Sequence, residues 1–499
     1  MSRLDILQSV DDKTMAYFAS LPTADVTDQA LEQRAKALEK IGSVRQDQGH
    51  LPEALDSYQA SAKLSLRLAE AAPTDVAKQT AYARTLSYIG MTEWNQGNLD
   101  GAQQHFESAR KTLVLAQSHS HHDLPLKFEL QTTENNIGHV LEARGQPDAA
   151  AAVYRTVLKL AGELVAANPR QADWVSALGD AHNNLGKLAL QRGDLAEAVA
   201  EYRADDTIET SLSASDPRNN PQRENVLRVR AILGRTLAMA GDIGNGIRDL
   251  KQAVDIATQL VQIDPKQTSF QLKLALYLSQ LSRLTRLNGN LPAAQTMTDK
   301  SLKILSKLIE LDPANASWKR YAAEVQIEQA AESLARGQAG AARAQVKTAL
   351  DILEPLFAKQ PEDRSLLLDT VTANLLLADA SSDKPSARRL RTAALKATQT
   401  VNSGDGDPRL LALRVETLLG LHKGVEATPL IERLWNIGYR DPALLSILRG
   451  AHIVYPVNPA FQKELLMPLT RPEGHPNRLD HTEKTQQPSN QTERPPPSN

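Results

Sequence analysis

Small and apolar positions recur along this chain at a fixed step of 48 residues. Glycines stand at Gly49, Gly97, Gly145, Gly193, Gly241, Gly289 and Gly337. Five residues after each comes a small residue: Ala54, Ala102, Ala150, Ala198, Gly246, Ala294 and Ala342. Seven residues before each stands another: Gly42, Gly90, Gly138, Gly186, Gly234, Ser282 and Ala330. Bulky residues at Tyr58, Phe106, Tyr154, Tyr202 and Leu250 keep the step, as do Pro169, Pro217, Pro265, Pro313 and Pro361. Pro73 belongs to the proline series, and His121 stands where one proline is missing. Such self-similarity marks a repeat architecture.

Each position has a physical role. The glycine ends a first helix, because a left-handed C-terminal residue is inexpensive only without a side chain. Asn98, Asp194, Asp242 and Asn290 follow it as N-caps of a second helix. The small residues allow the two helices to approach, and the bulky one fills the space beside them. Asp-Pro or Asn-Pro closes the second helix, since the residue before proline disfavours helical geometry. One unit therefore reads helix, tight turn, helix, loop. Segments 172–192 and 195–214 predict helices of about 30 Å.

Units such as HNNLGKLALQRGDLAEAVAEYR (182–203) and LSYIGMTEWNQGNLDGAQQHFESA (86–109) resemble the tetratricopeptide repeat family through the spacing of Gly186, Gly193, Ala198 and Tyr202. The resemblance covers roughly residues 28–360, in seven units. It implies an all-α fold, a right-handed superhelical solenoid of antiparallel helix pairs. The usual unit has about 34 residues, so two added turns per helix account for the longer step. Long units of this kind are similar to those of bacterial signalling proteins.

The domain plan expected is an N-terminal helix and connector (1–27), seven repeats (28–360), degenerate helical repeats and a cap (361–470), and a polar tail (471–499). Past 361 the period decays: an eighth turn glycine would fall on Pro385. Residues 365–400 predict two helices, 401–408 a linker, and 409–423, 425–437 and 441–453 shorter helices. Terminal units of a solenoid must cover its last apolar face. The tail is proline-rich and polar, a composition expected to stay disordered. Residues 3–19 are amphipathic and resemble the connector that precedes repeats in bacterial multidomain signalling proteins. That resemblance implies an alternative role, as the regulatory half of a signalling enzyme whose effector lies upstream or on another chain.

Composition narrows the function. The 57 basic and 59 acidic residues nearly balance, which argues against a dedicated nucleic-acid binder. The absence of cysteine removes disulfides and thiolate chemistry. No signal-peptide core and no membrane-length apolar run is present, so no direct membrane insertion is expected. The chain reads as cytoplasmic, or periplasmic if an upstream membrane segment exists. Gly186-Lys187 lacks the rest of a phosphate-binding loop, with Ala181 and Leu188 at the required Gly and Ser/Thr positions. GDIGNG (241–246) has no strand before it. The SHSHHD run (118–123) offers metal-capable side chains but reads as a polar loop. Neither a catalytic site nor a cofactor or metal is expected.

The family resemblance places ligand contacts on the first helix of each unit. It carries over to Asn135, His139, Asn183, Lys187, Arg235, Arg283 and Arg286, with Asn136 and Asn184 resembling asparagines that hold ligand backbone. An amide both donates and accepts, so it suits a peptide main chain. Lys187, Arg235 and Arg283 recur at one phase and, with Arg228 and Arg286, predict a basic stripe centred on units three to six. Such a stripe suits an acidic or carboxylate-bearing protein or peptide segment. Trp174, Phe270 and Trp318 share another phase and read as packing between units.

Overall fold

The computed structural model describes residues 27–453, apart from 48–49, 121, 314, 362 and 400–405. The N-terminal amphipathic segment, Gly49, His121, most of the 401–408 linker and the tail lie outside the described residues. Among those described, helices pair as α1 (Asp28–Asp47) with α2 (Leu51–Ala71), α3 (Val76–Asn95) with α4 (Leu99–Gln117), and α5 (Leu124–Ala143) with α6 (Pro147–Ala167). The series continues with α7 (Ala172–Arg192) and α8 (Leu195–Ser215), α9 (Asn220–Met239) and α10 (Ile243–Ile263), α11 (Thr268–Leu287) and α12 (Leu291–Leu311), and α13 (Ala316–Ala335) and α14 (Ala339–Lys359). Then come α15 (Arg364–Asp379), α16 (Lys384–Gln399), α17 (Pro408–Gly420), α18 (Gly424–Asn436) and α19 (Pro442–Gly450). Each helix from α1 to α17 packs on the next, α19 packs on α17, and first helices also stack on first helices, α3 on α5 and α11 on α13 for example. The chain is an all-α solenoid.

The repeat turn works by one residue serving two helices. Gly193 is left-handed at φ 86°, and the Asp194 N–H donates back to Ala189 O at 2.8 Å, closing α7. The Asp194 side chain accepts from Glu197 N at 2.9 Å, opening α8. Gly97, Gly145, Gly241, Gly289 and Gly337 are likewise left-handed. Asn98, Asp242 and Asn290 repeat the double role, donating to Glu93, Leu237 and Thr285 and capping through their side chains. This satisfies orphan carbonyls and N–H groups at both helix ends within three residues.

The two helices of a unit touch where the sequence placed its small residues. A Cβ on Gly90 would come within 2.8 Å of the Phe106 ring, and one on Gly138 within 2.4 Å of the Tyr154 ring. Gly42 meets Tyr58 and Gly186 meets Tyr202 in the same way. Unit six replaces ring and glycine by hydroxyls: Ser282 Oγ lies 2.7 Å from Thr298 Oγ1, and both donate to the buried Glu332. Unit seven uses Ala330 with Val346, both fully buried. The contact is thus a volume-matched pair sixteen residues apart.

Unit four breaks the core pattern. Asp205 and Glu209 are fully buried on α8, where other units carry Ser61, Ala109, Val157, Ala253, Ser301 or Ala349, and Leu113, Ala161, Ala257, Leu305 or Leu353. Neither Asp205 carboxylate oxygen has a hydrogen-bond partner among the described residues. Burial pushes the Asp205 carboxyl up to about 8, against the pull of Arg228 and with repulsion from Glu209 and Asp180.

Two predictions follow from the packing. Gly90→Ala is expected to cost about 1–3 kcal/mol through overpacking. Adding Phe106→Val should make the double variant more stable than the two single changes sum to, by about 1 kcal/mol in a double-mutant cycle of urea unfolding. For α8, a raised native pKa means the folded chain holds the Asp205 proton that the unfolded chain releases. Stability is therefore lost as pH rises from the ordinary carboxylate range to about 8. Asp205→Ala with Glu209→Ala should gain roughly 1–3 kcal/mol at pH 8 and little or nothing at pH 4, measured as melting temperature against pH.

Candidate functional site

The C-terminal helices do not simply extend the end of the array. They turn back onto the first helices of units four to six. Leu411, Val415 and Leu418 of α17, Ala427, Ile431 and Leu434 of α18, and Leu444 and Leu448 of α19 share one buried core with Leu190, Leu195, Tyr202, Leu233 and Leu237. The main chain makes the same crossing. The Arg440 N–H donates to Met239 O at 2.6 Å. A Cβ on Gly193 would sit 2.9 Å from Gly406 O, and one on Gly241 would sit 2.8 Å from Arg440 Cβ. Two successive repeat turns thus form landing points for the returning segment, and a side chain at either would push it away.

Arg440 and Asp441 anchor that return. Arg440 is 2% exposed. Its guanidinium donates to Trp435 O and Tyr439 O and stacks 4.1 Å over the Trp435 ring. Its charge is met by carbonyls at the C-terminal end of α18, where the helix dipole is negative. Asp441 caps α19 through Ala443 N and accepts two hydrogen bonds from Arg283, at 3.0 and 3.1 Å. Behind them the fully buried Asp407 accepts from Arg409 and Arg364. Burial pushes the Asp407 carboxyl up, but the two guanidinium groups outweigh it and hold the carboxyl below the usual range.

Between the returning helices and the array lies a partly enclosed chamber of about 620 Å³. Its walls come from α7, α9, α11, α13, α15, α17 and α19. The volume is that of a small-molecule or short-peptide site. Aliphatic side chains such as Ile232, Leu368 and Leu413 alternate on the walls with Arg235, Glu324, Asp369, Arg409 and Glu416.

Of the residues nominated from sequence, Asn183, Lys187, Arg228, Arg235 and Arg283 line this chamber. Most are already engaged. Lys187 pairs with Glu142 at 2.7 Å, Arg283 with Asp441, and Arg228 donates to Asn183 at 3.0 Å. Arg286 lies outside the chamber wall and is held bidentately by Glu328. Asn136 and Asn184 are buried, and Asn184 Nδ2 donates to Asn135 Oδ1 at 3.0 Å, a link from one unit to the next. His139 bonds Tyr154 OH at 2.8 Å, and burial together with Lys187 lowers its pKa. The stripe is therefore largely a set of links between repeats. Trp174 packs 6.5 Å from Phe128, and Trp318 joins an inter-unit core.

Arg235 is the exception. Its Nε donates to Ala231 O, and among the described residues no carboxylate hydrogen-bonds it. Its side chain is exposed on the chamber wall. Glu324, Asp369, Arg364, Arg409 and Glu416 were missed from sequence. Glu324 alone had a signal, since it repeats the phase of Arg228 two units on. The others belong to aperiodic segments. Among the described residues no three metal-capable side chains converge, and no helix is long and apolar enough to cross a membrane.

Replacing Asp441 by Asn keeps the helix cap and removes the charge facing Arg283. Backbone amides of α17–α19 are expected to exchange hydrogen about tenfold faster, while those of α3–α6 stay unchanged. Hydrogen-exchange mass spectrometry reads both.

No family model matches the sequence, and no curated protein does. Solved structures do. The apo form of RapI superposes with a TM-score of 0.53 at 11% identity, covering 80% of this chain and 95% of that one. The apo quorum sensor NprR from B. thuringiensis superposes at 0.46 and 9% identity, covering 79% and 99%. A tetratricopeptide repeat protein from Parabacteroides merdae superposes at 0.34 and 14% identity, covering 70% and 99%. At such identities the likeness is one of fold. The superposition on RapI agrees with the all-α solenoid that the paired helices and their 48-residue step build.

Proposed function

We propose that this protein is a peptide-binding module, and that its ligand sits in the chamber closed by α17–α19 and not along the open trough of the early units. The observation that carries the reading is the unpaired Arg235 in a chamber of about 620 Å³. A guanidinium on a chamber wall with no carboxylate hydrogen-bonded to it is free to take a ligand's carboxylate, and such groups concentrate at functional sites. The chamber alternates apolar wall with a few polar groups, the arrangement that binds a small ligand while fixing its orientation. The open trough of units one to three is a weaker candidate, because its charges pair among themselves. Arg84 holds Glu129 at 2.5 Å, and Lys187 holds Glu142.

The reading is tested with pooled peptides of three to eight residues incubated with the full chain and recovered by affinity selection and mass spectrometry. Wild type is expected to retain a subset. Ala412→Trp or Leu368→Trp, each filling the chamber, should cut retention at least about tenfold, while Asn135→Ala should not. Retention unchanged by both tryptophan variants, or no retention by wild type, would remove the chamber as the site.

A further inference from the structure

The chamber has two electrical ends. Three cations share one phase on successive first helices: Lys187, Arg235 and Arg283. The outer two are locked by Glu142 and Asp441, and the middle one is not. Arg409 of α17 lies near enough to Arg235 for the two guanidinium groups to repel. Arg409 is hydrogen-bonded to Asp407, and Arg228, which donates to Asn183, also faces the carboxyls of Asp180 and Asp205. Arg235 stands on the chamber wall with no hydrogen-bonded carboxylate among the described residues. Glu324 faces it without a hydrogen bond, its carboxyl pushed up by burial against the pull of Arg235 and Arg320.

The other end belongs to Glu416. Arg409 and Glu416 both line the chamber and stand seven residues apart on α17, about 10 Å at 1.5 Å per residue. No hydrogen-bond partner meets Glu416 among the described residues. The charges nearest it are Asp379, which repels it, and Arg391. Arg391 is itself engaged by Asp379. Burial, joined by Asp379, pushes the Glu416 carboxyl up to about 8. A cation placed beside it would reverse that shift.

Resting on the peptide-binding reading, we propose that the chamber selects a short linear peptide with both ends free, its terminal carboxylate on Arg235 and its terminal ammonium on Glu416. A guanidinium takes a carboxylate through two parallel hydrogen bonds. The aliphatic wall of Ile232, Leu368 and Leu413 would cover the ligand's side chains. A segment inside a folded partner cannot place its ends on both groups.

Four pools of random peptides of three to eight residues test this on the full chain: free-ended, N-acetylated, C-amidated and blocked at both ends. Retention is read by affinity selection and mass spectrometry. Wild type is expected to retain the free-ended pool, and each single block should lower retention about tenfold. Arg235→Gln should become indifferent to C-amidation while still sensing N-acetylation, and Glu416→Gln should show the reverse. Circular dichroism and melting of both variants establish that they fold, and these paired losses are not produced by a folding defect. Equal retention of all four pools by wild type overturns the end-recognition proposal while leaving peptide binding intact. Failure of every pool overturns both readings.

Discussion

Two helices that approach closely enough for an aromatic ring to lie on a glycine backbone set the geometry of this molecule. The contact is short-range and unforgiving: a single methyl on Gly138 would enter the Tyr154 ring. It repeats from unit to unit as ring on glycine in the first four, as Gly90 with Phe106 shows, and with a smaller partner on a larger small residue later, as Ala330 with Val346 shows. Interiors packed at near-crystalline density favour such compensating exchanges over one-sided ones. Equal spacing within each unit, with the left-handed glycine turn between its helices, stacks the units in one direction. The array therefore carries its first helices side by side, and the inner face they form is a consequence of that one contact.

On that face the chain has made two uses of charge. Most charged side chains link one unit to the next or to the returning helices, as Arg286 with Glu328 and Arg283 with Asp441 do. Such partly buried pairs contribute little net stability but penalise misregistered stacking. A minority have no hydrogen-bonded ion partner among the described residues, Asp205 on α8 and Arg235 in the chamber among them, and they differ in surroundings. Asp205 is sealed in a core position, with no exposed surface. Arg235 is exposed on the wall of the chamber. The first is a cost with no visible return in the structure, and the second is the group on which the proposed binding rests.

Closure by α17–α19 converts an open trough into a chamber. The turns at Gly193 and Gly241 take part in both the repeat and the closure, since Gly406 and Arg440 rest against them. A residue chosen for helix capping thus also leaves room for a segment arriving from about two hundred residues away. The chamber consequently depends on the C-terminal segment as much as on the repeats. Cutting the chain after the last regular unit would remove Arg409, Glu416, Tyr439 and Asp441 from its walls.

The helices and their order were legible in the sequence, because capping, the glycine turn and the small–bulky pairs act between residues close along the chain. That holds for Gly193 with Asp194 and for Gly186 with Tyr202. The phase of the inner face was legible too, and Asn183, Lys187, Arg228, Arg235 and Arg283 do line the chamber. What could not be read was which of these cations would find a carboxylate. Asp441 lies 158 residues from Arg283, in a segment with no repeat period to give its position away. Only the tertiary structure decided that Arg283 is neutralised and Arg235 is not. The curvature summed over several units determines where the C-terminal helices land, and no local pattern records that sum.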